Sequence, residues 1–247
     1  MVRVLVIGES CYDKFIYCHS DRLSPEAPVP IINPVTIVEN PGMSGNVVRN
    51  LISLNETLQI DHWTQKSVVQ KIRYVDKKSN HMFIRVDDGD KNIETFNFTK
   101  EKKNSLSDYD IVIVSDYNKG FIKFEDLFEI GKNSKLSILD TKRTINDKIV
   151  KAFSFIKLNE KEYDNNKHIE DLSNVIITLG ADGTKFKNKV YPVPKPRETI
   201  DVSGAGDTFT ASFILKFNQN KNVEESINFA NKMASIVVSK KGVTVPN

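Results

Sequence analysis

The sequence predicts a layered α/β fold built on a mainly parallel, covered sheet. Three observations predict it. Short apolar runs recur along the chain with the continuous apolar character of strands buried on both faces. Helical stretches fall between or after them. Near the end of the chain a glycine turn, Gly204-Ala205-Gly206, separates a β-branched run from an apolar helix.

Residues 4–7 open the chain as a buried strand that Gly8 closes, and residues 111–115, 136–140, 153–158 and 175–179 are the other candidate core strands. Helices are expected near 44–54, 124–132, 205–217 and 223–239. In such folds ligands collect beyond the carboxyl ends of the strands. Gly8, Asp116, Asp140 and Leu179-Gly180 lie at or just past such ends, so one rim is expected to gather them. Residues 15–19, 31–38, 69–75 and 81–87 read differently. Pro28, Pro30 and Pro34 punctuate the first pair, and Lys77-Lys78-Ser79-Asn80 makes a turn between the second. These four segments are assigned to a small separate sheet over the rim.

A chain of 247 residues suits one sizeable α/β domain. It can bury roughly 70% of its unfolded surface, so it needs no staples. The net charge is +3, with Lys and Arg scattered among Asp and Glu, which argues against a nucleic-acid-binding tail. No apolar stretch approaches the length that crosses a membrane, and the opening run is unlike a signal peptide. Cys11 and Cys18 have no metal-ligand spacing. A disulfide between them stays open, but a reduced, cytoplasmic protein is the expectation.

The chemistry concentrates in residues 199–210. Residues 199–202 have the β-branched character of a short strand, the glycines break it, and a buried helix follows. Backbone N–H groups at such a helix start have no partners of their own and, with the helix dipole, form an anion site. Asp207 falls in the first helical turn, where a carboxylate can take a proton from a hydroxyl while the N–H groups hold a phosphate. The plainer alternative is a turn followed by a helix-starting acid. The stretch is not a dinucleotide fingerprint, because Phe209 stands at its third glycine, and no P-loop motif occurs.

Asp201-Val202-Ser203-Gly204-Ala205-Gly206-Asp207 resembles the Asp-Thr-Gly-Ala-Gly-Asp signature of the PfkB, or ribokinase-like, carbohydrate kinases. Four further stretches resemble the family in its order. They are residues 4–13, Pro41-Gly42-Met43-Ser44-Gly45-Asn46-Val47, Asn159-Glu160-Lys161-Glu162 and Thr178-Leu179-Gly180-Ala181-Asp182-Gly183. Two runs, Arg22-Leu23-Ser24-Pro25-Glu26-Ala27-Pro28-Val29-Pro30 and Ser115-Asp116-Tyr117-Asn118-Lys119-Gly120, are most similar to the D-glycero-D-manno-heptose 7-phosphate kinases.

The resemblance implies a single three-layer ribokinase-like domain over residues 1–247, with a β lid from about 14–39 and 69–98. It implies ATP and Mg²⁺ as cofactors, a sugar or sugar phosphate as acceptor, and a homodimer formed through the lid. Asp207 becomes the general base, and Gly204, Ala205 and Gly206 the donors to the transferring phosphoryl group. Asp13, Gly42 and Asn46 become sugar contacts, and Arg73 and Arg85 a grip for a distal phosphate. Asp116 suits a sugar contact and Lys119 a phosphate. Lys142, Thr178, Gly180, Gly183 and Asn231 become nucleotide contacts. Asn159 and Glu162 form the Mg²⁺–phosphate pair, with Glu162 acting on the metal through water.

Plainer alternatives stand beside these roles. Asp13 also reads as a turn aspartate after the first strand, and Arg73 and Arg85 as solvated strand arginines. Asp116 and Lys119 fit a turn ion pair, Asn159 and Glu162 a capped helix start, and Asn231 a helix surface.

The chain also departs from the family. Met43 stands where the second glycine usually lies, which puts a flexible apolar side chain beside the sugar. After Leu54 the resemblance resumes at residues 59–64, omitting a strand–helix unit. The expected activity is phosphoryl transfer from ATP to the anomeric hydroxyl of a heptose 7-phosphate-like sugar. Another sugar or nucleoside kinase of the same type, and a sugar-phosphate-binding protein without turnover, are the alternatives.

Overall fold

The structure, a computed structural model, describes residues 1–169, 173–194, 199–240 and 242–246. Its elements in chain order are β1 (Arg3–Gly8), β2 (Ser10–Leu23), β3 (Pro30–Met43), α1 (Ser44–Leu54), β4 (Gln59–Trp63), β5 (Gln70–Asp76), β6 (Met82–Asp88), α2 (Lys100–Ser105), β7 (Ile111–Asp116), α3 (Phe124–Lys132), β8 (Ser137–Thr141), α4 (Asp147–Ala152), β9 (Phe155–Asn159), α5 (Glu160–Asp164), β10 (Val175–Thr178), β11 (Thr184–Phe186), β12 (Lys189–Tyr191), α6 (Ala205–Asn220) and α7 (Val223–Val238).

Strand β1 sets the layers. Val4, Leu5, Val6 and Ile7 are all fully buried, and alternation along a strand sends them to opposite faces. Val4 and Val6 share a core with Val47 and Leu51 of α1, Phe209 and Phe213 of α6 and Ile227 of α7. Leu5 and Ile7 share the other core with Leu127 and Ile130 of α3 and Ile149 of α4. A sheet covered on both faces by helices is the three-layer arrangement expected.

The large sheet has eight strands in the order β12-β11-β10-β9-β8-β7-β1-β4. Strands β10 to β4 run parallel, and β11 and β12 add an antiparallel hairpin at one edge. The parallel strands end together, so Gly8, Asp116, Thr141, Asn159 and Thr178 share one rim.

The second sheet has four strands in the order β3-β2-β5-β6. Its register separates two rows of side chains. Val38, Phe15, Arg73 and Arg85 are neighbours across the strands, as are Ile37, Ile16, Tyr74 and Ile84 in the next row. The first row carries Arg73 and Arg85 to the rim of the large sheet, where both line a cavity.

Two expectations change. Residues 199–202 are not a strand. The N–H groups of Ile200 and Asp201 both donate to the carbonyl of Val238 at the end of α7, and among the described residues no strand pairs with the segment. Ile200 and Val202 are exposed there. Residues 59–63, which carry no continuous apolar run, form β4. Only residues 55–58 separate it from α1, and it pairs with β1 as the edge of the sheet. Cys11 and Cys18 are free, buried thiols.

Phe213 anchors the α6 side of the core. It is fully buried, meets Phe155 edge-on at 4.9 Å between ring centroids, and stacks on Phe209 at 6.2 Å. Phe213→Ala is expected to cost about 3–5 kcal/mol of folding free energy in a denaturant titration.

Candidate active site

Helix α6 begins on Gly204, whose φ of 81° is left-handed backbone that favours glycine. A Cβ at this position would lie 2.7 Å from Nδ2 of Asn46. The turn therefore packs directly on α1 and delivers Asp207 into the first turn of α6, where its side chain is buried.

Each oxygen of Asp207 has a donor. Asn46 Nδ2 donates to Oδ2 at 2.9 Å, and the Tyr117 hydroxyl donates to Oδ1 at 3.2 Å. Asn50 Nδ2 donates to the Asn46 carbonyl at 2.8 Å, and Thr208 Oγ1 donates to Asn50 Oδ1 at 2.7 Å. This chain of bonds ties α1 to α6 on both sides of the carboxylate. Burial pushes the Asp207 carboxyl up to about 6, with nearby Asp140 adding to the rise. The Asn46 and Tyr117 bonds and the charge of Lys157 act the other way.

Lys157 lies beneath the glycine turn. Its Nζ is buried, donates to both oxygens of Asp140 at 3.1 Å, and would sit 3.1 Å from a Cβ at Gly206. Burial opposes its charge, but Asp140, Glu162 and Asp207 hold it protonated above the usual lysine range.

Two cavities flank the turn. The first, about 500 Å³, is lined by Ala205 and Gly206 together with Lys157, Asn159, Thr178, Gly180, Gly183 and Asn231. The second, about 390 Å³, is lined by Gly204 and Asp207 together with Asp13, Met43, Asn46 and Tyr117. Lys71, Arg73, Arg85, Lys119 and Lys142 also line it, so cations outnumber its carboxylates.

The expected residues fall into three groups. Asp13, Asn46, Arg73, Arg85, Lys119 and Asp207 meet in the second cavity. There Arg73 Nη1 pairs with Asp13 Oδ1 at 2.5 Å, Arg85 pairs with Asp87, and Lys119 pairs with Asp90. Gly42 lies behind Asp13, where any side chain would collide with that carboxylate. Thr178, Gly180, Gly183, Asn159 and Asn231 meet in the first cavity. Asn231 is pinned there, accepting from Thr184 Oγ1 at 2.6 Å and donating to the Tyr191 carbonyl at 2.9 Å. Lys142, expected on the nucleotide side, lines the second cavity and donates to Glu162 Oε1 at 3.0 Å.

The third group is held elsewhere. Asp116 is fully buried and accepts from Thr141 Oγ1 at 2.6 Å and Arg143 Nε at 2.7 Å. It lines neither cavity, and its expected sugar contact gives way to a buried ion pair. Glu162 forms a capping box with Asn159 at the start of α5.

Sequence reasoning missed Tyr117, Asn50, Thr208, Lys157 and Glu9. Lys157 was the most visible of them, since a charge inside an apolar strand run requires a partner. Glu9 is fully buried and accepts from the N–H groups of Tyr117 and Lys119, both at 2.9 Å, which fixes the loop after β7. Burial and nearby Asp116 raise its carboxyl above the usual range.

Comparison with known proteins agrees with the fold. The ribokinase of Thermotoga maritima superposes with a TM-score of 0.73 at 20% identity, covering 98% of this chain and 95% of that one. Phosphofructokinase-2 from Escherichia coli, in complex with potassium, also gives 0.73, at 16% identity over 99% of this chain and 95% of its own. At such identities the likeness shows the fold. The profile of the pfkB family carbohydrate kinases matches residues 56–247. The bifunctional protein HldE of Helicobacter acinonychis is 30% identical over 98% of this chain and 64% of its own length. That of Helicobacter pylori strain J99 is 31% identical over the same shares. The chain thus spans about 64% of the length of these curated relatives. The alignments run over 299 positions, so the relatives carry several dozen residues absent here.

Fold and family together place the molecule in the class of ribokinase-like α/β proteins. The chain belongs to the pfkB family of carbohydrate kinases.

The raised Asp207 carboxyl links stability to pH. The fold binds this proton more tightly than the unfolded chain does, so its contribution is full below about pH 4 and is lost as pH rises through about 6. Asp207→Asn removes that loss. The variant is expected to melt higher than the parent above pH 6, by up to about 3 kcal/mol at the limit, with the difference shrinking toward pH 4. Thermal melts across that range check it.

Proposed function

We propose that the chain is an ATP-dependent kinase of a phosphorylated sugar, most similar in acceptor to heptose 7-phosphate, and that Asp207 is its general base. One observation carries the reading. The cavity lined by nucleotide-type residues and the cation-lined cavity meet at a single glycine turn, with a buried carboxylate on the acceptor side.

In this reading the acceptor hydroxyl oxygen attacks the terminal phosphorus in line and the bond to the leaving nucleotide diphosphate breaks. The hydroxyl proton passes to Asp207. The N–H groups of Gly204 and Gly206 serve the oxygens on which charge collects, while that of Ala205, expected to join them, donates to the Val202 carbonyl at 3.3 Å. Asp13 keeps acceptor sites free beside its bond to Arg73 and takes sugar hydroxyls. Lys71 supplies positive charge for a second, distal phosphate, and Arg85 and Lys119 would turn to it from their pairs with Asp87 and Asp90. Lys142 stands between Glu162 and the Tyr117 ring, near the path of the transferring group.

Mg²⁺ would keep most of its waters and enter on the nucleotide phosphates with one carboxylate in support, and the candidate here, Glu162, already accepts from Lys142 Nζ and the Asn159 N–H, which leaves it a role only through water. Glu162 would serve as that carboxylate through water, with Asn159 beside it. When bound, the ion spreads the charge of the phosphates. Among the described residues no helix is long and apolar enough to cross a membrane, and a cytoplasmic setting is the one we propose.

The small sheet is read as a lid over the acceptor, within one kinase unit spanning residues 1–247. Its outer row places Ile37 and Ile84 in register with Ile16 and Tyr74, and Ile37 and Ile84 are more than half exposed, at 57% and 53%. A second copy of the chain against this apolar row is the proposed dimer contact.

Two experiments test the reading. Purified protein is screened for ATP consumption over sugars and sugar phosphates. Asp207→Asn is expected to lower kcat by about 10²–10⁴-fold with nucleotide affinity unchanged. Arg85→Gln is expected to raise KM for phosphorylated acceptors about tenfold and to leave unphosphorylated analogues unaffected. Full turnover by Asp207→Asn overturns the base assignment. For the lid contact, sedimentation of Ile37→Glu, Ile84→Lys is expected to show monomers where the parent sediments as a dimer. An unchanged mass removes the contact.

A further inference from the structure

We propose that Tyr117 is the positioning residue for the base: its hydroxyl, donated to Oδ1 of Asp207, holds that carboxylate in its proton-accepting form and turned to the junction of the two cavities. The inference rests on Asp207 acting as the base.

Tyr117 is built to act through its hydroxyl alone. Its backbone is fixed by the N–H bond to buried Glu9 at 2.9 Å, which also accepts from Lys119 and Phe121. Its ring lies between two cations, with Lys142 Nζ 4.8 Å and Lys71 Nζ 5.2 Å from the centroid. The ring also packs on the cluster of Cys11, Met43 and Val69. None of these contacts uses the phenolic oxygen. Among the described residues that oxygen bonds Asp207 alone, at 3.2 Å.

The division of the carboxylate follows. Asn46 holds Oδ2 from α1 and Tyr117 holds Oδ1 from the loop after β7. Two donors from two elements fix the carboxylate plane, and each oxygen keeps a lone pair. Both bonds favour the ionised form. Burial and the Asp207 charge lift the Tyr117 phenol well above its ordinary range, so it remains a donor throughout the working pH range. Other charged and titratable groups also face Asp207. Lys157 and Asp140 do so from β9 and β8, Cys11 from β2, and Lys142, Lys71, Arg73 and Asp13 from around the second cavity. Replacing Tyr117 by Phe removes one hydroxyl and leaves all of these in place.

The test is the pH profile of Tyr117→Phe. Losing a bond to the charged form raises the carboxyl pKa, so the acidic limb of kcat/KM is expected to move up by about half to one pH unit. At pH 6 the rate is expected to fall about 2–5-fold, with recovery toward the parent value at higher pH and an unchanged nucleotide KM. The carboxyl-carbon NMR titration of Asp207 reads the same shift without turnover. Should Tyr117→Phe fail to fold, fluorotyrosine at 117, a stronger donor of the same shape, is expected to move the limb the opposite way. An unmoved limb and an unmoved NMR titration overturn the proposal. Asp207→Asn separates the two levels. If it turns over at the parent rate, both the base and its positioning residue fall. If it is inactive while Tyr117→Phe keeps the parent limb, only the role of Tyr117 falls.

Discussion

The bond between Asn46 and Asp207 is the constraint on which the site depends. It joins two helices far apart in sequence across the start of α6, and it is buried on both sides. A carboxylate taken from water is costly unless donors meet it. Here they come from α1, through Asn46 with Asn50 behind it, and from the β7 loop, through Tyr117. The same close packing explains the glycine at 204, because a side chain there would displace the Asn46 amide. Backbone conformation, helix docking and the protonation of Asp207 are thus one problem with one solution.

The parallel sheet makes that solution available. Because β7, β8, β9 and β10 end on one rim, residues at or just past four strand ends line the cavities beside the turn without a long loop to organise them. Charge is then sorted by position. Asp140 neutralises Lys157 below the turn, and Arg143 neutralises Asp116 away from the cavities. The second cavity is left with more cations than carboxylates. A buried pair such as Lys157–Asp140 adds little net stability. It keeps a protonated lysine next to the helix start, where anionic charge is already favoured.

Much of this was legible in the sequence, for identifiable reasons. Helices α1 and α3 have the boundaries expected of them, and β1 and β7 to β10 lie within two residues of the apolar runs that marked them. Continuous apolar runs and apolar residues at helical spacing are local signals. Gly204 to Asp207 was legible because the glycines, the acid and the helix are consecutive. Asp116 was not, because its partner Arg143 lies in another loop and turns it inward. Tyr117 was quoted within a motif, but its partner lies 90 residues away. Residues 199–202 look like a strand by composition, and the backbone partner they find is the end of a helix.

The shortened stretch after α1 tests how far the site depends on the whole fold. The chain returns from α1 to the sheet in residues 55–58, and β4 then takes the edge beside β1. Strand β4 lines neither cavity. Its nearest link to the site is His62, whose Nε2 lies 2.8 Å from Ser44 Oγ at the first position of α1. Burial pushes that imidazole down to about 4, so it is neutral at physiological pH and seats the helix start without adding charge. Helix α1 carries Asn46 and Asn50, so what the Asp207 carboxylate needs from this side of the sheet is a correctly seated helix. The Ser44–His62 contact and the Val47 and Leu51 core supply it. Chain can therefore be lost from the sheet edge while the geometry around Asp207 is kept.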